Sequence, residues 1–127
     1  MPWRTHILVV DDDQCHRDLL QTYLSAEGYR VSIASDGHEL REIMAANPAD
    51  IILLDVMLPD EDGFSLARFL HAEYDCGIIM ITAKSEVTDR IVRLALAADV
   101  YLPIPSQLRD IVAHLLRLSR RIERIIR

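Results

Sequence analysis

No stretch of this chain stays apolar for the roughly 20 residues a membrane-spanning helix needs. Its start, Met1-Pro2-Trp3-Arg4-Thr5-His6, has no hydrophobic core of the kind a secretory signal requires. Both absences point to a cytoplasmic address and against membrane contact. Cysteine is scarce as well. Cys15 and Cys76 are the only two, in no ligand-like spacing, so neither a disulfide framework nor a zinc site is expected. Positive charge is in short supply: 14 Lys and Arg face 20 Asp and Glu, for a net charge of -6. A lone nucleic-acid binder usually carries a basic stripe, so that class is disfavoured. Internal repeats, linkers and low-complexity segments are missing too. What remains is 127 residues, half of them apolar, enough for one hydrophobic core without staples.

Short apolar runs alternate with amphipathic stretches. The runs are Ile7-Leu8-Val9-Val10, Val31-Ser32-Ile33-Ala34, Ile51-Ile52-Leu53-Leu54, Ile78-Ile79-Met80-Ile81 and Val100-Tyr101-Leu102. Four are apolar without alternation, the mark of strands covered on both faces. The stretches between them read as helices. Residues 14–27 carry Leu19, Leu20, Tyr23 and Leu24 at helical spacing and stop at Gly28. Asp36 with Glu39 forms a capping pair for a helix running through Ala46, stopped near Pro48. A third helix spans Gly63 to Glu73, with Phe64, Ala67, Leu70 and His71 on one face. A fourth is expected over about Glu86 to Ala97, and a fifth from near Ser106. Strand then helix, five times over, predicts an α/β fold: a five-stranded parallel sheet, doubly wound, with helices on both faces.

In such sheets ligands bind beyond the carboxyl ends of the strands. The first run ends in Asp11-Asp12-Asp13, the third in Asp55, the fourth in Thr82, and the fifth in Pro103-Ile104-Pro105. Carboxylates forced together repel one another unless a cation joins them. Oxygen-only ligands suit a hard cation, and a few carboxylates with waters suit Mg²⁺. Helix capping accounts for Asp13. It does not account for Asp55 arriving at the same edge after a fully apolar strand.

Four stretches carry a family resemblance: Ile7-Leu8-Val9-Val10-Asp11-Asp12-Asp13, Leu53-Leu54-Asp55-Val56-Met57-Leu58-Pro59, Asp62-Gly63-Phe64 and Met80-Ile81-Thr82-Ala83-Lys84. In this order and spacing the chain resembles the receiver domains of response regulators, with the CheY-like, flavodoxin-like (βα)5 fold. Asp89-Arg90-Ile91-Val92 and Ala98-Asp99 are most similar to receivers of OmpR-like transcription factors. The resemblance implies a phosphoacceptor at Asp55 and an acidic pair at Asp11 and Asp12, with Asp12 the direct Mg²⁺ ligand. It implies that the backbone carbonyl of Met57 completes the metal shell. Thr82 matches a hydroxyl that bonds a phosphoryl oxygen, and Tyr101 a switch aromatic. A carboxylate attacking a phosphoryl group forms an acyl phosphate, chemistry that demands mainly positioning and charge neutralisation.

The chain departs from the family at one corner. Where relatives place a lysine before a proline after the fifth strand, this chain has Ile104. In the family that lysine's cation holds a phosphoryl oxygen, a charge-assisted contact of roughly 1.5–3 kcal/mol. Lys84 is the only lysine present and belongs to a different strand. Ser106 stands in place of an aromatic and Ala97 in place of a glycine, so the corner is altered as a unit.

The resemblance also implies a homodimer through the fourth helix, fifth strand and fifth helix, with Arg90, Asp99 and Asp110 at its interface. The last helix carries Leu108, Ile111, Leu115, Leu118, Ile122 and Ile125. Its basic end, Arg117 to Arg127, reads as the start of a connector. The expected division is a receiver over residues 1–118 and a helical extension over 119–127. The five histidines, His6, His16, His38, His71 and His114, pair with no carboxylate at a catalytic or zinc spacing and read as surface or packing residues.

The expected function is therefore a phosphorylatable switch rather than an enzyme. Its expected partner is a sensor histidine kinase, and DNA is reached only through an attached output domain. The alternative, prompted by Ile104, is a phosphate-independent dimerisation and protein-interaction module. An aspartate-nucleophile phosphatase is disfavoured because Met57, two residues past Asp55, is no general acid.

Overall fold

The computed structural model describes residues 5–55, 58–83 and 100–104, with residues 82–83 and 100–104 described by their backbone alone. The elements run β1 (His6–Val10), α1 (Gln14–Ala26), β2 (Arg30–Ala34), α2 (Gly37–Ala46), β3 (Ile51–Asp55), α3 (Gly63–Glu73), β4 (Gly77–Ala83) and β5 (Val100–Ile104). All strand pairs are parallel, in the order β2-β1-β3-β4-β5. The chain steps from β1 outward to β2, then crosses back to β3 on the other side of β1. That reversal opens a crevice between the carboxyl ends of β1 and β3, where ligands bind in folds of this kind.

Each central strand is apolar throughout because it feeds two cores. Leu8, Val10, Ile52, Leu54, Ile78 and Met80 pack with Leu40, Met44, Phe64, Leu66, Ala67 and Leu70 of α2 and α3. Ile7, Val9, Ile51, Leu53, Ile79 and Ile81 pack with Leu20 and Leu24 of α1. Successive side chains of a strand point to opposite faces, so even and odd positions sort onto the two layers. The helices thus lie on both faces, as expected. The expected fourth and fifth helices, and residues 119–127, lie outside the described residues.

Local chemistry sets the helix ends. Asp13, Asp36 and Asp62 are the N-caps of α1, α2 and α3, each accepting backbone N–H groups of the first turn. Glu39 completes the expected capping pair one residue further back than usual, accepting from Ser35 N at 2.7 Å and from the Ser35 hydroxyl. Helix α1 closes in a Schellman turn: Gly28, at φ 98°, donates to Ser25 O at 3.0 Å, and Tyr29 donates to Leu24 O at 3.2 Å.

One expected core position is corrected: Leu19 is 53% exposed. His71, read as a surface or packing residue, is exposed. The inner stripe of α1 is set by Leu20 and Leu24, and a neighbour in a helix is turned about 100° away, which brings Leu19 to the rim. His6, by contrast, is buried as packing, with Nδ1 3.3 Å from Pro48 O and Nε2 2.7 Å from Ser32 Oγ. Among the described residues no helix is long and apolar enough to cross a membrane.

Candidate functional site

At the β1–β3 crevice Asp11, Asp12 and Asp55 converge. Each offers an oxygen, and these oxygens lie within 4.8 Å of one another. Asp11 is buried, Asp55 half-buried and Asp12 exposed. Asp11 reaches this place because β1 ends one residue earlier and its N–H still bonds Ala34 O of β2 at 3.1 Å. Asp55 is the last residue of β3, in register with Ile81 of β4. With Asp13, Cys15, His16 and Leu19 the three carboxylates line an open pocket of about 470 Å³. The start of α1 abuts it, and the positive end of a helix favours anionic neighbours.

Asp11 is held at three atoms. Its Oδ1 accepts the Asp13 N–H at 2.9 Å, its Oδ2 accepts from His16 Nδ1, and its carbonyl accepts from Arg17 Nη1 at 2.6 Å. The reading of His16 as a surface or packing residue is corrected here, because it pairs with a site carboxylate. His16 is on Asp11, and His38 lies 2.9 Å from Glu42 on an exposed stretch of α2. The missed signal was the cap. Once Asp13 opens α1, residue 16 sits in the first turn, which folds back over the residues before the cap.

The donor set passes a chemical test for a divalent cation. Three carboxylate oxygens, with neither sulfur nor nitrogen among them, match a hard ion such as Mg²⁺ and would repel one another strongly without it. Thr82 follows Ile81, the register partner of Asp55, along β4, so its backbone stands at the same rim. On β5 Tyr101 pairs with Met80 and Ile104 with Ala83. Met57, Lys84, Arg90, Asp99 and Asp110 lie outside the described residues, as do the side chains of Thr82, Tyr101 and Ile104.

The segment that follows β3 is tied to α2. Asp60 accepts the N–H groups of Gly37 at 3.0 Å and His38 at 3.2 Å, capping α2 from 23 residues away. Arg41 bonds Glu61 at 2.7 Å and stacks over the Phe69 ring at 4.1 Å. Gly37 leaves little room for a side chain, since a Cβ would stand 2.9 Å from Glu61 Oε2.

These contacts lower two carboxylate pKa values. The Gly37 N–H holds Asp60 below the ordinary 3.8, and the Ser35 hydroxyl and N–H hold Glu39 below the ordinary 4.5. A carboxylate with a depressed folded-state pKa stabilises the fold above its unfolded value and loses that contribution as pH falls through the folded one. Thermal melts should therefore show Asp60→Asn and Glu39→Gln less stable than wild type at neutral pH, with the difference shrinking as pH drops below about 3.8 for Asp60 and about 4.5 for Glu39. A difference as large at the acid end as at neutrality would remove capping as the cause.

Residues 7–116 match the response regulator receiver domain family. The chain belongs to that family. The receiver is 44% identical over 118 residues to the TorCAD operon transcriptional regulatory protein TorR of Escherichia coli O157:H7, covering 93% of this chain and 51% of TorR. It is 48% identical over 118 residues to the transcriptional regulatory protein GltR of Pseudomonas aeruginosa, covering 91% of this chain and 49% of GltR. The crystal structure of the receiver domain of the TMAO respiratory system response regulator TorR superposes with a TM-score of 0.85 at 43% identity, covering 93% of this chain and 98% of that one. The receiver spans about half the length of the curated relatives it matches. It is the receiver domain of a two-component response regulator, with the CheY-like parallel α/β fold.

Proposed function

We propose that the receiver takes a phosphoryl group on Asp55 from the phosphohistidine of a sensor kinase and passes the change to an attached DNA-binding output. The observation that carries this reading is the meeting of Asp11, Asp12 and Asp55 within 4.8 Å at the switch point of the sheet. Asp12 and Asp55, with Asp11 in support, would hold Mg²⁺, and the Met57 carbonyl would complete the donor set. When bound, the cation offsets the charge of carboxylate and phosphoryl oxygens as they approach.

Asp55 Oδ attacks phosphorus in line with the leaving histidine nitrogen, giving an acyl phosphate. That adds negative charge at the rim. The Thr82 hydroxyl moves to bond a phosphoryl oxygen, and Tyr101, on the adjacent strand, turns inward. The result is a two-state switch driven by local charge. We assign the regulator to the cytoplasm, and its active form to a homodimer through the fourth helix, fifth strand and fifth helix, using Arg90, Asp99 and Asp110. Similarity to TorR and GltR favours this over the phosphate-independent module.

Intact-mass spectrometry after acetyl phosphate treatment tests the proposal. One phosphoryl adduct is expected with Mg²⁺, none with EDTA and none in Asp55→Asn. An adduct mapped to another residue, or one formed equally well in EDTA, would sink the assignment.

A further inference from the structure

We infer, on the reading that Asp11, Asp12 and Asp55 hold a divalent cation, that His16 is a positioning residue for that site. It holds the Asp11 carboxylate in the orientation the cation needs. The geometry supplies the reason. Asp11 Oδ2 can only accept a hydrogen bond when ionised, so the facing His16 Nδ1 carries the proton. Asp11 Oδ1 is already engaged by the Asp13 N–H at 2.9 Å. Between them the two donors fix the rotation of the carboxylate about its last bond. Each oxygen keeps a second lone pair, the one left for a cation or a water bound to it.

His16 is itself well placed to do this. It belongs to the first turn of α1, which Asp13 caps through the Cys15 and His16 N–H groups at 2.9 and 3.3 Å. Arg17, the next residue, clamps the Asp11 carbonyl at 2.6 Å. Backbone and carboxylate of Asp11 are thus gripped from one helical turn. An imidazole N–H on a metal-binding carboxylate is the type of outer contact whose loss weakens metal affinity by about 10- to 100-fold.

The experiment titrates wild type, His16→Leu, His16→Asn and Asp12→Asn with Mn²⁺, reading the free ion by electron paramagnetic resonance. Leucine keeps the bulk and removes the donor. Asparagine puts an amide nitrogen at the same number of bonds from Cβ as Nδ1. His16→Leu should bind Mn²⁺ about 10-fold more weakly or worse, and His16→Asn should recover most of the loss. A second readout needs no variant. The imidazole ¹⁵N spectrum of wild type should show a protonated Nδ1 at neutral pH, and its shift should move with the midpoint of a Mg²⁺ titration.

Wild-type affinity in His16→Leu overturns the assignment, as does equal weakening in both His16 variants. An unprotonated Nδ1, or a ¹⁵N shift indifferent to Mg²⁺, overturns it even where His16→Leu does not fold. If Asp12→Asn loses Mn²⁺ while His16→Leu retains it, only the role of His16 falls. If wild type binds neither cation, the cation site falls with it.

Discussion

Asp12→Asn should make the metal-free protein more stable and the Mg²⁺-loaded protein less so. Three carboxylates within 4.8 Å repel one another, and Asp12, though exposed, adds a full charge to the group. Coulomb's law at an effective dielectric of about 20 gives roughly 3.5 kcal/mol for one such pair at 4.8 Å, a figure that overstates the effect at an exposed position. Solvent and salt screening reduce this to about 1 kcal/mol. Neutralising Asp12 relieves that repulsion. It also removes a cation ligand. A ligand present at a hundred times its Kd stabilises by about 2.7 kcal/mol, and the variant forfeits most of that. The measurement is a pair of chemical denaturation curves, in EDTA and in saturating Mg²⁺, for wild type and variant. The order of stabilities should invert between the two conditions. Parallel shifts in both, or no Mg²⁺ effect on wild type, would show that the cluster holds no cation.

Leu54→Ala should cost about 2–5 kcal/mol, a large share of the roughly 5–15 kcal/mol that keeps a domain folded. Leu54 is fully buried and packs in the layer shared with α2 and α3, immediately before Asp55. Truncation leaves a cavity between strand and helices that close packing cannot readily collapse. Leu19→Ala is the internal control. Leu19 is 53% exposed at the pocket rim, so its loss should stay within about 0.5 kcal/mol. Urea unfolding midpoints at constant slope measure both. Similar losses at the two positions would contradict the sorting of leucines into core and rim.

That contrast also marks how far the sequence could be read. Continuous apolar runs announced strands covered on both faces, because a half-exposed strand must alternate. Helix bounds at Gly63–Glu73 came out as expected because the apolar spacing of Phe64, Ala67 and Leu70 is a local signal. Asp11, Asp12 and Asp55 were legible as one site because a parallel sheet delivers every strand end to a common edge. Leu19 was misjudged because apolar spacing marks a stripe but not its centre. His16 was missed because its partner lies five residues back, across a cap, at a separation no helical repeat predicts.

The chain's own order of residues thus determined the parallel α/β fold, the alternation of layers and the acidic strand ends. These follow from local propensity and from the two faces a central strand must bury. Tertiary structure alone decided which side chains meet. The pairing of β1 with β3 brings the carboxylates within a cation's reach, and the first turn of α1 lays His16 on Asp11. Asp60 caps α2 only because the segment after β3 folds over it. Contacts of this kind depend on distances between elements, which packing sets and sequence spacing does not carry.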